Sequence, residues 1–407
     1  MDRNEAVRTR ERILIAPDKF KGSLSAIEVA TALERGLKRQ CGQLVDIDLC
    51  PVADGGDGTL DIAVSAGFQR MWVNVDGPTG EPVLASYAER AGLALVELAE
   101  ASGMRRLAGG RLAPLTASTY GAGQLVAAAI ARKNHTVMLA IGGSASSDGG
   151  AGLVQALGAR LFDHGGELLG RGGGALTRLA RVELGALRER IGGIEFVVAS
   201  DVDNPLLGPT GAAAVFGPQK GASEQDVARL EQGLSRWAAI IAEATGTNAA
   251  ADPGAGAAGG VGFAGIAMLN ATVISGADMV LTLVRFADRV REASLVITGE
   301  GSLDEQTAHG KAPARVAELA RQAGIPVIAV AGRCTLSEQS LLAAGIRRVY
   351  TLGAIEPDLS LSIANAGKLL ERVGEEIAGT ELGLPVEPGG SEAAADSPES
   401  SPRAISR

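Results

Sequence analysis

Short apolar runs and glycine-rich polar loops alternate along the chain. Ile13–Ala16 is apolar and closed by Pro17, and the loop Asp18-Lys19-Phe20-Lys21-Gly22-Ser23 follows. Ser25 and Glu28 stand at capping-box spacing, and Ile27, Ala30, Leu33 and Leu37 recur behind them at helical intervals. A strand, a polar loop and a helix are predicted. The succession repeats at Val45–Val52, where Asp54-Gly55-Gly56-Asp57-Gly58-Thr59 precedes a short helix, and at Val137–Ile141, where Gly142–Gly150 precedes a helical pattern from Leu153. Ile194–Ala199 runs into Ser200-Asp201-Val202-Asp203-Asn204-Pro205. Ser294–Thr298 runs into the turn Gly299–Asp304, and Lys311 opens a helix through Ala323. Strands at Ile325–Ala331 and Ile346–Leu352, with helices at Ser337–Gly345 and Ser362–Ile377, complete the pattern. Strands alternating with helices predict a parallel α/β sheet whose loops at the strand C-terminal ends line one crevice.

The alternation breaks between about residues 67 and 102. Met71–Val75, Val83–Glu89 and Leu93–Leu98 are separated by Gly/Pro turns with no helix between them, which predicts antiparallel or mixed pairing. The expected fold class is therefore α/β with two α/β domains and an interdomain cleft. A Rossmann-like parallel-sheet domain is formed by both chain ends (12–70 plus 290–380), and a mixed-sheet domain is inserted over 71–289. The Pro/Ser/Glu-rich stretch 381–407 reads as a disordered tail. Ser223 caps a long helix whose Val227, Leu230, Leu234, Trp237 and Ile241 face the core. Gly254, Gly256 and Gly259 match G-x-G-x-x-G, but no strand precedes them. Residues 246–262 thus read as a compositional coincidence or a mobile lid, and as linkers that let two domains close.

Composition narrows the class. Of 407 residues, 46% are apolar and 21% charged, as in a folded globular protein. A net charge of −9 argues against a nucleic-acid footprint, although local dipoles and lysines still admit an anionic substrate. Three scattered cysteines lack metal-ligand spacing and fit a cytoplasmic protein. No N-terminal signal segment or membrane span is expected, and the oligomeric state stays open, a homodimer being one option.

Five loops at strand ends carry the polar load: 18–23, 54–59, 142–150, 200–204 and 299–311. They supply glycine backbone donors, Lys19, Lys21 and Lys311, and paired carboxylates. Phosphoryl transfer needs that combination: cations and N–H groups offset phosphate charge, one carboxylate holds Mg²⁺, and another takes the hydroxyl proton. Asp57 and Asp148 also fit Asx turns that hold their own loops.

These loops carry long motifs in a fixed order. They are IAPDKFKGSLSA at 15–26, PVADGGDGT at 51–59, TASTYGAGQL at 116–125, AIGGSASSDGGAG at 140–152, SDVDNPLLGPTGAA at 200–213, FGPQKGA at 216–222, TGEGSLDEQTAHGKAP at 298–313 and VAGR at 330–333. In them the sequence resembles the bacterial glycerate kinase family (type I) from about residue 13 to 378. The resemblance implies ATP-dependent phosphorylation of D-glycerate, most often giving 2-phosphoglycerate, with some relatives making the 3-phosphate.

Combined with the chemistry of the loops, the resemblance implies roles. Asp201 or Asp203 is the general base, with Asp203 also a Mg²⁺ ligand. Lys19 serves catalysis, and Lys19, Lys21 and Ser23 hold the glycerate carboxylate or the moving phosphoryl group. Asp18, Asp54 and Asp57 contact substrate or Mg²⁺. Gly142, Gly143, Ser144 and Ser146 cradle phosphate, and Glu300, Asp304 and Lys311 complete the cleft. A non-catalytic anion-binding protein is the rival reading.

Overall fold

The computed structural model describes residues 11–305 and 311–383. The expected tail from 384 onward and the loop residues 306–310 lie outside them, whereas Glu381 closes the last helix. In chain order the strands are β1 (Glu11–Pro17), β2 (Val45–Leu49), β3 (Gln69–Asp76), β4 (Pro82–Arg90), β5 (Leu93–Glu97), β6 (Thr136–Ala140), β7 (Arg160–Asp163), β8 (Leu179–Glu183), β9 (Glu195–Ala199), β10 (Thr272–Ile274), β11 (Leu295–Leu303), β12 (Val327–Cys334) and β13 (Arg348–Thr351).

β2, β1, β11, β12 and β13 lie side by side in that order, all parallel. Ranked by chain position this is the 2-1-3-4-5 order of doubly wound sheets, whose crevice opens where the winding reverses. The reversal falls between β1 and β11. Alternate residues of β1 feed opposite layers: Ile13 and Ile15 pack with helices Ala26–Cys41 and Ala366–Glu381, Leu14 and Ala16 with helix Ala312–Gln322. The first and last helices pack without side chains at their crossing. A Cβ on Gly36 would stand 2.0 Å from the Glu371 carbonyl oxygen, and one on Gly374 2.6 Å from that of Leu33. Arg35 and Arg39 pair with Glu371 across the same seam.

The second sheet has the order β10-β9-β6-β5-β4-β3, parallel from β10 to β5 and antiparallel through β4 to β3. The Gly/Pro-turn region thus forms the antiparallel edge the sequence predicts. Between the two sheets, helices Thr59–Ser65 and Gly276–Leu283 share one apolar cluster with Leu14 and Ala16 on one side and Leu95, Ala140 and Ala199 on the other.

Several expectations need correction. Residues 246–262 are neither lid nor linker. Helix Ala257–Leu269 starts within them, with Ala258, Gly259 and Gly260 left-handed, and Val261, Phe263 and Ala264 are buried in the core of the six-stranded sheet. Its glycines allow close backbone packing: Cβ atoms on Gly256, Gly259 and Gly262 would lie 2.2, 2.1 and 2.0 Å from carbonyl oxygens. The turn expected at Gly299–Asp304 is strand as far as Leu303, because Ser302 and Leu303 keep pairing with Arg333 and Cys334 of β12. The final helix is two, Leu359–Ala364 and Ala366–Glu381, broken at Asn365. Trp237 is fully buried, as its spacing predicts.

The loops of the two sheets meet backbone to backbone. A Cβ on Gly276 would stand 2.2 Å from the Asp54 carbonyl oxygen, and one on Gly142 2.6 Å from the Gly56 Cα. Gly276→Ala is expected to lower stability by about 1–3 kcal/mol, the usual cost of overpacking against backbone. A denaturation midpoint unchanged from wild type would refute that crossing.

Candidate active site

The loops at the C-terminal ends of β1, β2, β6, β9, β11 and β12 surround one cleft of about 1360 Å³. The strand order explains the convergence, since a doubly wound sheet opens its crevice at the reversal and the second sheet points its own loops at the same gap. Asp18, Lys19, Lys21 and Ser23 line it from β1. Asp54 and Asp57 line it from β2, Gly142, Gly143 and Ser144 from β6, and Asp201 from β9. Glu300, Asp304 and Lys311 close the far wall. Two residues grouped with these by sequence do not line the cleft. Asp203 is exposed outside it, and the Ser146 hydroxyl is fully buried without a partner.

Carboxylates dominate the floor. Asp18 is 5% exposed and accepts the Lys19 backbone N–H at 2.6 Å. Burial, and then the charge of Asp54, push its carboxyl up to about 7. Lys19 opposes this weakly, because its ammonium stands 3.6 Å from Asp54 Oδ1 and donates to the Asp57 carbonyl at 2.9 Å. Asp201 Oδ1 accepts the Gly276 N–H at 2.8 Å. Desolvation raises the Asp201 pKa against that bond, and the charges of Asp54 and Asp278 add to the rise. On the facing sheet Glu97 ends β5, 2% exposed, and accepts the Leu60 N–H at 3.1 Å, tying the start of helix Thr59–Ser65 to the second sheet. Burial pushes it up to about 7 as well.

The glycine loop Gly142–Gly150 differs from a free anion cradle. Asp148, wholly buried, folds back into it and accepts the N–H groups of Thr119 (2.8 Å), Gly150 and Gly152 (3.2 Å each) and the Thr119 hydroxyl (2.9 Å). The start of helix Ala151–Ala156 is therefore already satisfied by the protein's own carboxylate. The Asx-turn alternative holds for Asp148.

Lys220 received no role from its sequence. It is 3% exposed, lines the cleft, donates to Ser144 Oγ at 2.9 Å and also donates to the Ser146 carbonyl. Burial lowers its ammonium to about 8. Its position within FGPQKGA carries no periodic signal, and only the tertiary packing reveals it. Arg105, 3.2 Å from Asp57, and Arg333, whose Nε donates to Ser302 Oγ at 3.2 Å, were likewise missed. No cluster of three or more ligating side chains that could hold a metal is preassembled among the described residues, and no helix among them is long and apolar enough to cross a membrane.

The Asp18 carboxyl sets a pH dependence. Its folded pKa of about 7 exceeds the ordinary 3.8, so the folded state binds more protons between those values. Stability is fully present below about 4 and lost as pH rises through 7. Asp18→Asn is expected to flatten that decline and to raise stability at pH 8 by up to about 4 kcal/mol. Parallel denaturant titrations of the two proteins from about pH 4 to 8 check it.

The chain matches the sequence model of the glycerate kinase family over residues 13–381. It is 42% identical to the glycerate kinase of Halalkalibacterium halodurans over 369 residues, covering 90% of this chain and 97% of that protein. With the glycerate 2-kinase of Escherichia coli it shares 43% identity over 331 residues, 80% of this chain and 86% of the relative. A crystal structure assigned to glycerate kinase 2 from Salmonella typhimurium LT2 superposes with a TM-score of 0.81 at 39% identity, covering 92% of this chain and 99% of that one. With these likenesses set beside a cleft walled by the motif loops, the chain belongs to the glycerate kinase family and is a kinase.

Proposed function

We propose that this kinase transfers the γ-phosphoryl group of ATP to the 2-hydroxyl of D-glycerate, giving 2-phospho-D-glycerate and ADP. The observation that carries the reading is the 43% identity to a protein named for 2-kinase activity. The cleft adds volume for a nucleotide and a small acid together. Asp201 is the general base. Its raised pKa makes it a better proton acceptor, and the Gly276 N–H fixes its orientation. In the transfer the carboxylate takes the hydroxyl proton, the alkoxide oxygen bonds the γ-phosphorus, and the bond to the β–γ bridging oxygen breaks with its electron pair leaving on ADP.

Lys19 lies between Asp54 and the Asp57 carbonyl, placed to neutralise charge at the substrate. Lys21, Ser23 and Lys311 supply donors on the β1 and β11 side. Gly142, Gly143 and Ser144 offer the opposite wall, while Asp57, Glu300 and Asp304 frame the acid. Mg²⁺ fits the donor set. The oxygen groups Asp54 and Glu300 add their charge to the cost of ionising the buried Asp18 carboxyl, whose raised pKa records it. Mg²⁺ needs only one or two carboxylates besides the phosphates it arrives with, where it screens their charge. Asp54 is the better ligand candidate, since Asp203 stands outside the cleft.

We also read the chain as two domains, 12–70 with 290–380 and an insert over 71–289, closing on the cleft. Helix Gly276–Leu283, within that insert, packs on the five-stranded layer through Asp278–Arg315 at 2.6 Å.

Asp201→Asn is expected to lower kcat by about 10²–10⁴-fold with the protein still folded. Asp203→Asn should stay within a few-fold of wild type. A coupled ADP-release assay measures both, and phosphorus NMR of the product identifies the phosphorylated hydroxyl. Full activity in Asp201→Asn would remove the base assignment, and a 3-phosphate product would remove the regiochemistry.

A further inference from the structure

The glycine loop of the cleft has the composition of an anion seat, yet its helix start is filled by Asp148. Charge complementarity for a phosphate at this wall must come from another group. Lys220 is the one buried lysine among the described residues. It approaches the loop from outside, through the segment Pro218–Lys220 that follows helix Ala212–Phe216.

Three observations bear on its purpose. The ammonium has three N–H donors, and its printed acceptors are two neutral oxygens of the loop, Ser144 Oγ and the Ser146 carbonyl. No carboxylate lies within ion-pair distance among the described residues, and Asp148 acts on it only through space. A buried cation without a direct counter-ion is costly, and an arriving anion offsets that cost. The packing is also shaped around the ammonium: a Cβ on Gly259 would stand 3.0 Å from Lys220 Nζ and 2.1 Å from the Ser146 carbonyl oxygen, so only glycine fits. Finally, the hydroxyls of Ser146 and Ser147 in the same turn are buried with no partner, leaving polar capacity that packing alone does not require.

We infer that Lys220, with the Ser144 hydroxyl, forms a phosphate-binding subsite at the six-stranded-sheet wall of the cleft. The inference rests on the kinase reading for its ligand, a phosphate group belonging to the nucleotide or to the phosphorylated product. It assigns the cation of that wall to a residue outside the glycine loop. Lys19 and Arg105 each have a carboxylate within ion-pair distance, Asp54 and Asp57. Lys220 instead reserves its charge for the ligand and orients Ser144, which lines the cleft beside it.

The test uses the full chain and two variants. Lys220→Met removes charge and donors, whereas Lys220→Gln keeps an N–H₂ group near Ser144 without the charge. ADP, 2-phosphoglycerate, inorganic phosphate and D-glycerate are titrated calorimetrically into each, with circular dichroism reporting folding. We expect ADP or 2-phosphoglycerate to bind more than about tenfold more weakly to both variants, and D-glycerate to bind within about twofold of wild type. The arm that weakens identifies whose phosphate sits there. A second readout lies outside any structural role. Asp148 is the titratable group whose charge acts on Lys220, and helix Ala257–Leu269 meets the ammonium at Gly259. Wild type at about pH 8.5 should therefore take up a proton on phosphate binding, seen in buffers of different ionisation heat, and Lys220→Gln should not. If Lys220→Met fails to fold, Lys220→Gln and the wild-type proton uptake decide. Unchanged affinities in folded Lys220→Gln, or no proton uptake by wild type, overturn the subsite. Absence of D-glycerate-dependent ATP consumption in wild type would instead overturn the kinase reading while the titrations still judge Lys220.

Discussion

The whole arrangement depends on two places where backbone meets backbone without a side chain between. Gly55 and Gly56, after β2, press against Gly276 and Gly142 of the facing layer, at separations a Cβ would reduce to 2.7 and 2.6 Å. Those crossings hold the C-terminal ends of two sheets at the distance of one small-molecule cleft. Any bulkier residue would push the carboxylates of one wall away from the loop of the other. The shared apolar layer of helices Thr59–Ser65 and Gly276–Leu283 supports the crossings from behind. Gly276 serves twice, admitting the Asp54 backbone and giving its N–H to Asp201.

Inside that frame, charge is stored at a cost in stability. Asp18 and Glu97 are carboxyls held near neutrality by burial, and Lys220 is an ammonium lowered by the same cause. Among the described residues none of the three has a counter-ion within ion-pair distance. Groups of this kind destabilise the empty protein and are relieved when a ligand brings the opposite charge or a proton. Asp148 is the contrasting case. It too is fully buried, but its backbone and hydroxyl donors satisfy it, and its work is to hold Thr119 and the start of helix Ala151–Ala156 together. The two buried aspartates thus differ in what faces them, Asp18 a cleft and Asp148 a ring of N–H groups.

Most of the motif loops that carry the likeness also wall the cleft, and they come from both sheets. The doubly wound order explains why the loops after β1 and β11 diverge to open it. β11 and β12 extend past the expected turn as a paired ribbon, because Gly299 and Gly332 pack where side chains would clash with backbone oxygens at 1.9 and 2.6 Å. Glu300 and Ser302 therefore reach the cleft from a strand, whose spacing is more rigid than a loop's.

By itself the sequence determined the elements and their class. Capping boxes at Ser25 and Ser223, apolar strands closed by Pro17 or Gly142, and the Gly/Pro turns between β3 and β5 are local signals, and local hydrogen bonding or backbone sterics enforces each. It also determined that charged, glycine-rich loops would gather at strand ends, since a parallel sheet sends every such loop to one edge. It could not separate Asp201 from Asp203, two residues apart on one loop, because which carboxylate turns inward depends on the Gly276 N–H some 75 positions away. It offered the Asx turn of Asp148 as one option but could not show that Thr119 closes it, nor mark Lys220 as a cleft cation or 246–262 as core. Those roles are fixed by contacts between segments distant in the chain, and only the folded packing decides burial, hydrogen-bond satisfaction and the shift of a titrating group.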